Sequence, residues 1–159
     1  MNILRITSLL LLISSIISSC ASSEKVNYNL NLSIVKREIN AWLNLMPGTS
    51  RGKFHLTGEI TLKNRGSDEI KNIELNNITV YSNEDVVYTL TPYLSTKNKK
   101  DNYNLGINKE KIFSFGSDNV LKIDERLEIN NLINIKLEFI SEQGNIHFTF
   151  REIEVERAY

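Results

Sequence analysis

Few side chains in this sequence could do chemistry, and their spacing narrows what that chemistry could be. Two histidines, His55 and His147, are the natural acid–base or metal-binding groups. Each stands inside an alternating run, with Phe54 and Leu56 beside the first and Ile146 and Phe148 beside the second. In extended chain that alternation turns both imidazoles to the solvated side, opposite the apolar one. The carboxylates Glu84-Asp85, Asp118 and Asp124-Glu125 fall in or near turn-like sequence, where solvated turn chemistry accounts for them. A calcium site would need several oxygens converging on one point. No glycine-rich phosphate loop and no nucleophile elbow occurs. A single cysteine, Cys20, excludes a disulfide framework within the chain. With that thiol modified, a zinc or copper site lacks material. The expectation is a chain that is not an enzyme, with no catalytic residue, no metal and no cofactor.

What chemistry remains lies in where Cys20 stands. Arg5 is followed by Ile6 to Ile17, mostly Leu, Ile and Ser. A short basic start, an apolar run and a small-residue end is the layout of a secretory signal. A membrane-spanning helix needs roughly 20 apolar residues, and Ser14, Ser15, Ser18 and Ser19 interrupt this run. The four residues Ile17-Ser18-Ser19-Cys20 place an aliphatic and two small residues before the cysteine. That pattern resembles the lipobox of bacterial lipoproteins. The resemblance implies a diacylglyceryl group on the Cys20 sulfur, cleavage before Cys20 directed by Ile17, Ser18 and Ser19, and a further acyl chain on the freed amine. The competing reading is an ordinary signal peptide that ends beside a buried cysteine.

Each buried methylene contributes about 0.8 kcal/mol, and one myristoyl chain alone binds a membrane only marginally. Two or three chains on one cysteine therefore anchor firmly without help from a basic patch. Removing residues 1–19, which carry Arg5 and no acid, leaves 18 basic against 19 acidic residues. That balance gives no electrostatic case for nucleic acid. The expected partners are the membrane, through the lipid on Cys20, and another protein of the bacterial cell envelope. Ala21 follows the cysteine. In lipoproteins of two-membrane bacteria an Asp there commonly retains the protein at the inner membrane, so by resemblance Ala21 permits the outer one.

Residues 1–19 are thus a signal segment, 20–25 a lipidated tether, and 26–159 one domain of ordinary size. A domain near this length buries roughly 68–70% of its unfolded surface, enough for a core without staples. Period-two alternation runs through Val26–Ile34, Lys53–Lys63 and Ile133–Phe139. Residues 36–46 fit both periods: Ile39, Trp42, Leu43 and Met46 at helical spacing, or Ile39, Ala41, Leu43 and Leu45 at strand spacing. Neighbouring strands and the lack of a clear N-cap favour a strand. Apolar parity flips across Asn76-Asn77 and across Arg151-Glu152, marking two candidate bulges. Leu127 and Ile129 read as another short strand. Ser82–Asp85 and Glu142–Asn145 are hairpin loops, and Pro92 marks a strand end or an edge.

The stretch Leu56-Thr-Gly-Glu-Ile-Thr-Leu-Lys-Asn-Arg-Gly, then Ile70-Lys-Asn-Ile-Glu-Leu, then Thr79-Val-Tyr-Ser resembles bacterial immunoglobulin-like modules of the FxLYD type. It departs from them at Ser82, where they often carry Asp, and in lacking a following Gly. The resemblance implies an extracytoplasmic accessory or adhesion-like module and brings no catalytic residue. About eight or nine short strands without helical crossovers point to an all-β fold, a single antiparallel immunoglobulin-like β-sandwich.

Residues 95–111 break the pattern. Long structureless connections are functional or disordered, so Lys97, Lys99, Lys100 and Tyr103 form either an interaction loop or a solvated one. The expected function is a scaffold, assembly or protein-interaction module. The alternative is a small-ligand or glycan-binding module using exposed aromatics, with Trp42 and Tyr93 as contacts and Tyr103 as a further stacking surface. Replacing Cys20 by Ala should release the protein from the membrane fraction or leave an uncleaved precursor. Metabolic labelling with a fatty acid should mark the parent chain and not the variant; an unlabelled parent refutes lipidation.

Overall fold

A computed structural model of the chain describes residues 30–46, 52–96, 102–117, 121–129 and 131–159. The Ile17–Cys20 pattern, the tether, Asp118 and the loop lysines 97, 99 and 100 lie outside the described residues.

Among the described residues, nine strands and one short helix follow in the order β1 (Leu32–Asn44), β2 (Lys53–Asn64), β3 (Glu74–Ser82), β4 (Asp85–Leu90), β5 (Pro92–Thr96), β6 (Glu110–Ser117), β7 (Leu121–Lys122), α1 (Glu125–Ile129), β8 (Leu132–Ser141) and β9 (Gly144–Ala158). They form one curled mixed sheet in the order β4-β3-β8-β9-β1-β2-β6-β5, with β7 beside β2. The ambiguous 36–46 stretch is strand as far as Asn44. Within it Ala41 and Leu43 are buried while Trp42 faces outward, as a period of two requires.

The apolar faces of the strands meet in a single cluster. Phe54, Phe113, Phe115 and Phe139 are its largest fully buried side chains, and Ile60, Leu62, Ile78, Ile135 and Leu137 fill between them. The Phe54 ring of β2 stacks on Tyr88 of β4, 5.0 Å between centroids, which ties the two arms of the curl across the core. Leu105, in the segment that broke the alternation, is also buried and exchanges backbone hydrogen bonds with Ile70. That part of the 95–111 stretch is therefore core rather than solvated loop.

Two sequence expectations need correction. Among the described strands pairing is antiparallel except between β1 and β9, which run parallel from Ala41–Val155 to Asn44–Ala158. Hairpin reasoning sees only strands adjacent in sequence, and these two open and close the described domain. Residues 127–129 belong to α1 rather than to a strand. Asp124 caps that turn, its carboxylate accepting from the Arg126 N–H at 3.0 Å and its carbonyl from the Leu127 N–H at 2.9 Å.

Both bulges are present. The β3–β8 register slips between Leu75 and Asn77, and the β8–β9 register slips between Ile133 and Ile135, opposite Arg151-Glu152. The second lets β9 leave β8 and join β1.

One buried polar side chain, Asn64 at the end of β2, organises the neighbouring loops. Its Nδ2 donates to the carbonyls of Asp68 at 2.7 Å and Leu105 at 3.0 Å, and its Oδ1 accepts from the Gly66 N–H at 2.8 Å. Its own N–H donates to the Lys109 carbonyl. Truncation would leave the buried Leu105 carbonyl and the partly buried Asp68 carbonyl without this donor, at about 1–3 kcal/mol for each orphaned buried group in general. Asn64→Ala is expected to cost about 3 kcal/mol, read as a drop in the urea midpoint with unchanged slope. A loss below about 0.5 kcal/mol would mean that water replaces the amide.

Candidate functional site

The outer surface of β1-β2-β6-β5 is where two of the expected aromatic contacts come together. Alternation puts Trp42, His55, Thr57, Gly116 and Tyr93 on this face, because Ala41, Leu43, Phe54, Leu56, Phe113 and Phe115 take the inner one. Trp42 and His55 are direct cross-strand partners, and their rings stack at 5.0 Å with 9° between planes. Both are half-buried. In the next row Thr57, Gly116 and Tyr93 lie side by side. A methyl group built on Gly116 would come within 2.6–2.9 Å of the Tyr93 ring and hydroxyl, so that ring lies across the glycine and is 40% exposed. Glycine is needed here for close approach.

Tyr103 is placed differently. Its ring stacks on Phe113 and its hydroxyl donates to the Leu94 carbonyl of β5, so it seals an edge rather than offering a platform beside Trp42.

The opposite arm, β3-β8-β9, carries a cleft that the sequence did not announce. Tyr81, Asn83, Glu84, Asn134, Lys136, Thr149, Arg151 and Glu152 line a volume of about 530 Å³. Asn134 ties two parts of its lining together. The amide oxygen accepts from the Glu152 N–H at 3.1 Å, and the amide nitrogen donates to the Asn83 carbonyl at 3.4 Å. Both partners are left-handed, with φ of 56° at Glu152 and 55° at Asn83. The only advance signal was the parity flip at Arg151-Glu152.

His147 is exposed on this same arm, level with Glu138 and Asn77. The two histidines therefore stand on different faces and make no common site. Among the described residues no group of three or more His, Cys, Asp or Glu is arranged to hold a metal ion, and no helix is long and apolar enough to cross a membrane.

A third cluster joins β4 to the α1 turn. The Tyr88 hydroxyl donates to the Lys122 carbonyl at 2.7 Å and accepts from the Asp124 N–H at 2.8 Å. Burial raises its pKa above the ordinary phenol value. Arg126 grips Asp124 through Nε and Nη2, each at 2.7 Å, and donates from Nη1 to the Val86 carbonyl on the β4 edge. Hydrogen bonding from Arg126 holds the Asp124 carboxyl down at about 2. These contacts explain themselves as edge closure and need no ligand.

No family model matches the sequence, and no curated protein matches it. Among solved structures the chain is similar to that of the Iho670 flagellar-like filament, at 11% identity and a TM-score of 0.37, covering 93% of each chain. A likeness of that size carries no argument.

The depressed Asp124 pKa fixes a sign. A carboxyl lowered on folding stabilises the fold above its unfolded pKa, near 4, and that stabilisation fades as pH falls toward 2. The pair is solvated, so its contribution is modest. Asp124→Asn should lower the urea midpoint at pH 7, and its difference from the parent should narrow between about pH 4 and pH 2. A pH-independent difference would assign the loss to the cap rather than to the charge.

Proposed function

We propose that this chain is a lipoprotein of the bacterial cell envelope, anchored through Cys20, whose residues 26–159 form an immunoglobulin-like sandwich acting as a non-catalytic protein-interaction module. The observation that carries the domain reading is the strand order. Lettering β1 to β6 as A, B, C, C′, D and E, and β8 and β9 as F and G, turns the sheet into C′-C-F-G followed by A-B-E-D. That order supports the reading, because C′-C-F-G and A-B-E-D match the strand sets of the two sheets of an immunoglobulin sandwich, here joined into one curled sheet through strand A.

The edges favour partners on the faces. Strand β4 has its Val86 carbonyl occupied by Arg126. Strand β5 has its Leu94 carbonyl occupied by Tyr103 and begins with Pro92, which has no N–H to donate. What stays open to a partner is the outer surface of each arm. A lipid-held domain with partly covered edges suits a scaffold or assembly role in the envelope. Alternatively, half-buried Trp42 on His55 and exposed Tyr93 on Gly116 form an aromatic strip that supports a small-ligand or glycan-binding role.

Photo-reactive residues placed singly at Thr57, Glu59, Thr79 and Glu138 of the anchored protein sample both outer faces. The expected result is one discrete stoichiometric adduct, confined to one face and lost with Cys20→Ala. Absence of an adduct from all four positions would remove the interaction reading. A saturable change in the fluorescence of Trp42 with added glycan, and no adduct, would favour the alternative.

A further inference from the structure

We infer that the cleft between the β3–β4 turn and the β9 bulge is a binding site for a neutral polyhydroxylated ligand, the pyranose units of a glycan. Its volume of about 530 Å³ lies in the range of small-molecule sites, roughly 300–1,000 Å³. Its walls are held in place, since the Asn134 amide bonds Glu152 on one side and Asn83 on the other.

The lining selects the ligand class. Lys136 and Arg151 supply cationic donors, and Glu84 and Glu152 supply anionic acceptors. None of these four belongs to the ion pairs Lys63–Glu110 and Arg126–Asp124, and their side chains do not pair with one another. An anion would meet two carboxylates and a cation would meet two positive groups, so neither sign is favoured. A sugar presents adjacent hydroxyls that both donate and accept, which matches alternating donors and acceptors around a rim. It also has one apolar face, which the Tyr81 ring can take. Thr149 completes the rim beside Lys136, its cross-strand partner.

Glu152 carries a second argument. A left-handed backbone disfavours a residue with a Cβ, and glycine would adopt it without that strain. Here the strained position carries an acidic residue that lines the cleft. This site lies on the opposite arm from Trp42 and Tyr93 and stands independently of any ligand there.

The test uses the full-length protein, isotopically labelled and held in a sugar-free detergent, titrated with maltotriose and with triacetylchitotriose. One probe carries only hydroxyls and the other adds acetamido groups. Saturable shifts at Tyr81, Asn134, Lys136 and Thr149 with at least one probe are expected. Tyr81→Ala and Lys136→Ala should each weaken binding about tenfold, the size of one lost charged or stacking contact. Glu152→Gly should fold at least as stably yet bind more weakly, which separates a ligand role from a structural one. The inference is overturned if neither probe shifts the cleft signals at concentrations up to about 10 mM, or if shifts appear only around Trp42 and Tyr93. Shifts at the cleft with glycine betaine and not with either sugar would also overturn it, assigning the site to zwitterions.

Discussion

The hydrogen bond from the Glu152 N–H to the Asn134 side chain is the constraint on which the shape of this domain turns. Strand β9 must satisfy its backbone along all fifteen of its residues, and no single neighbour serves it throughout. Its first part pairs with β8 as far as Glu154, and its last four strand residues pair with β1. A regular strand would keep one register and one pleat. The extra residue at the bulge breaks both, and the left-handed turn at Glu152 adds the local twist that bulges bring. Asn134 satisfies the N–H that the bulge takes out of the ladder. Without it a donor near the protein surface would depend on water alone.

A second polar side chain does the corresponding work at another corner. Asn64 ends β2 and holds the 65–70 turn and the 102–109 segment through three side-chain bonds. The Arg65 N–H donates to the Asn31 carbonyl just before β1. The buried amide and this backbone bond beside it together join the beginning of β1, the end of β2 and the approach to β6. Burying a polar group is tolerable only when its bonds are made, and Asn64 makes them. The hydrophobic cluster supplies most of the cohesion, but apolar packing has no direction. Direction comes from these two asparagines and from the Tyr88–Asp124–Arg126 contacts that close β4.

Glu38 and Glu59 are direct cross-strand partners on the outer face of β1 and β2, and both are exposed. Such pairs are mildly destabilising. Lys53 and Lys122 face each other in the same way on β2 and β7. The outer face of this arm therefore carries an acidic pair and a basic pair on either side of the aromatic strip.

Much of the architecture was legible in the chain, because a strand with one buried face must alternate. Leu56, Ile60 and Leu62 against Thr57, Glu59 and Thr61 could hardly be anything else. The same parity located both bulges, and Asn and Gly marked the β3–β4 and β8–β9 turns. The resemblance of Ile17–Cys20 to a lipobox is likewise a matter of sequence alone. Alternation states which side of a strand is buried but says nothing about which strand lies next to it. Hence the parallel pairing of β1 with β9, the stacking of Trp42 on His55 and the Tyr93–Gly116 contact belong to the tertiary structure. So does α1, where the Asp124 cap overrode a two-residue apolar alternation. The cleft was the least visible feature. Its residues come from β3, the β3–β4 turn, β8 and β9, separated by up to seventy-one positions. The β3–β8 and β8–β9 ladders, with the Asn134 side-chain bonds, bring them together.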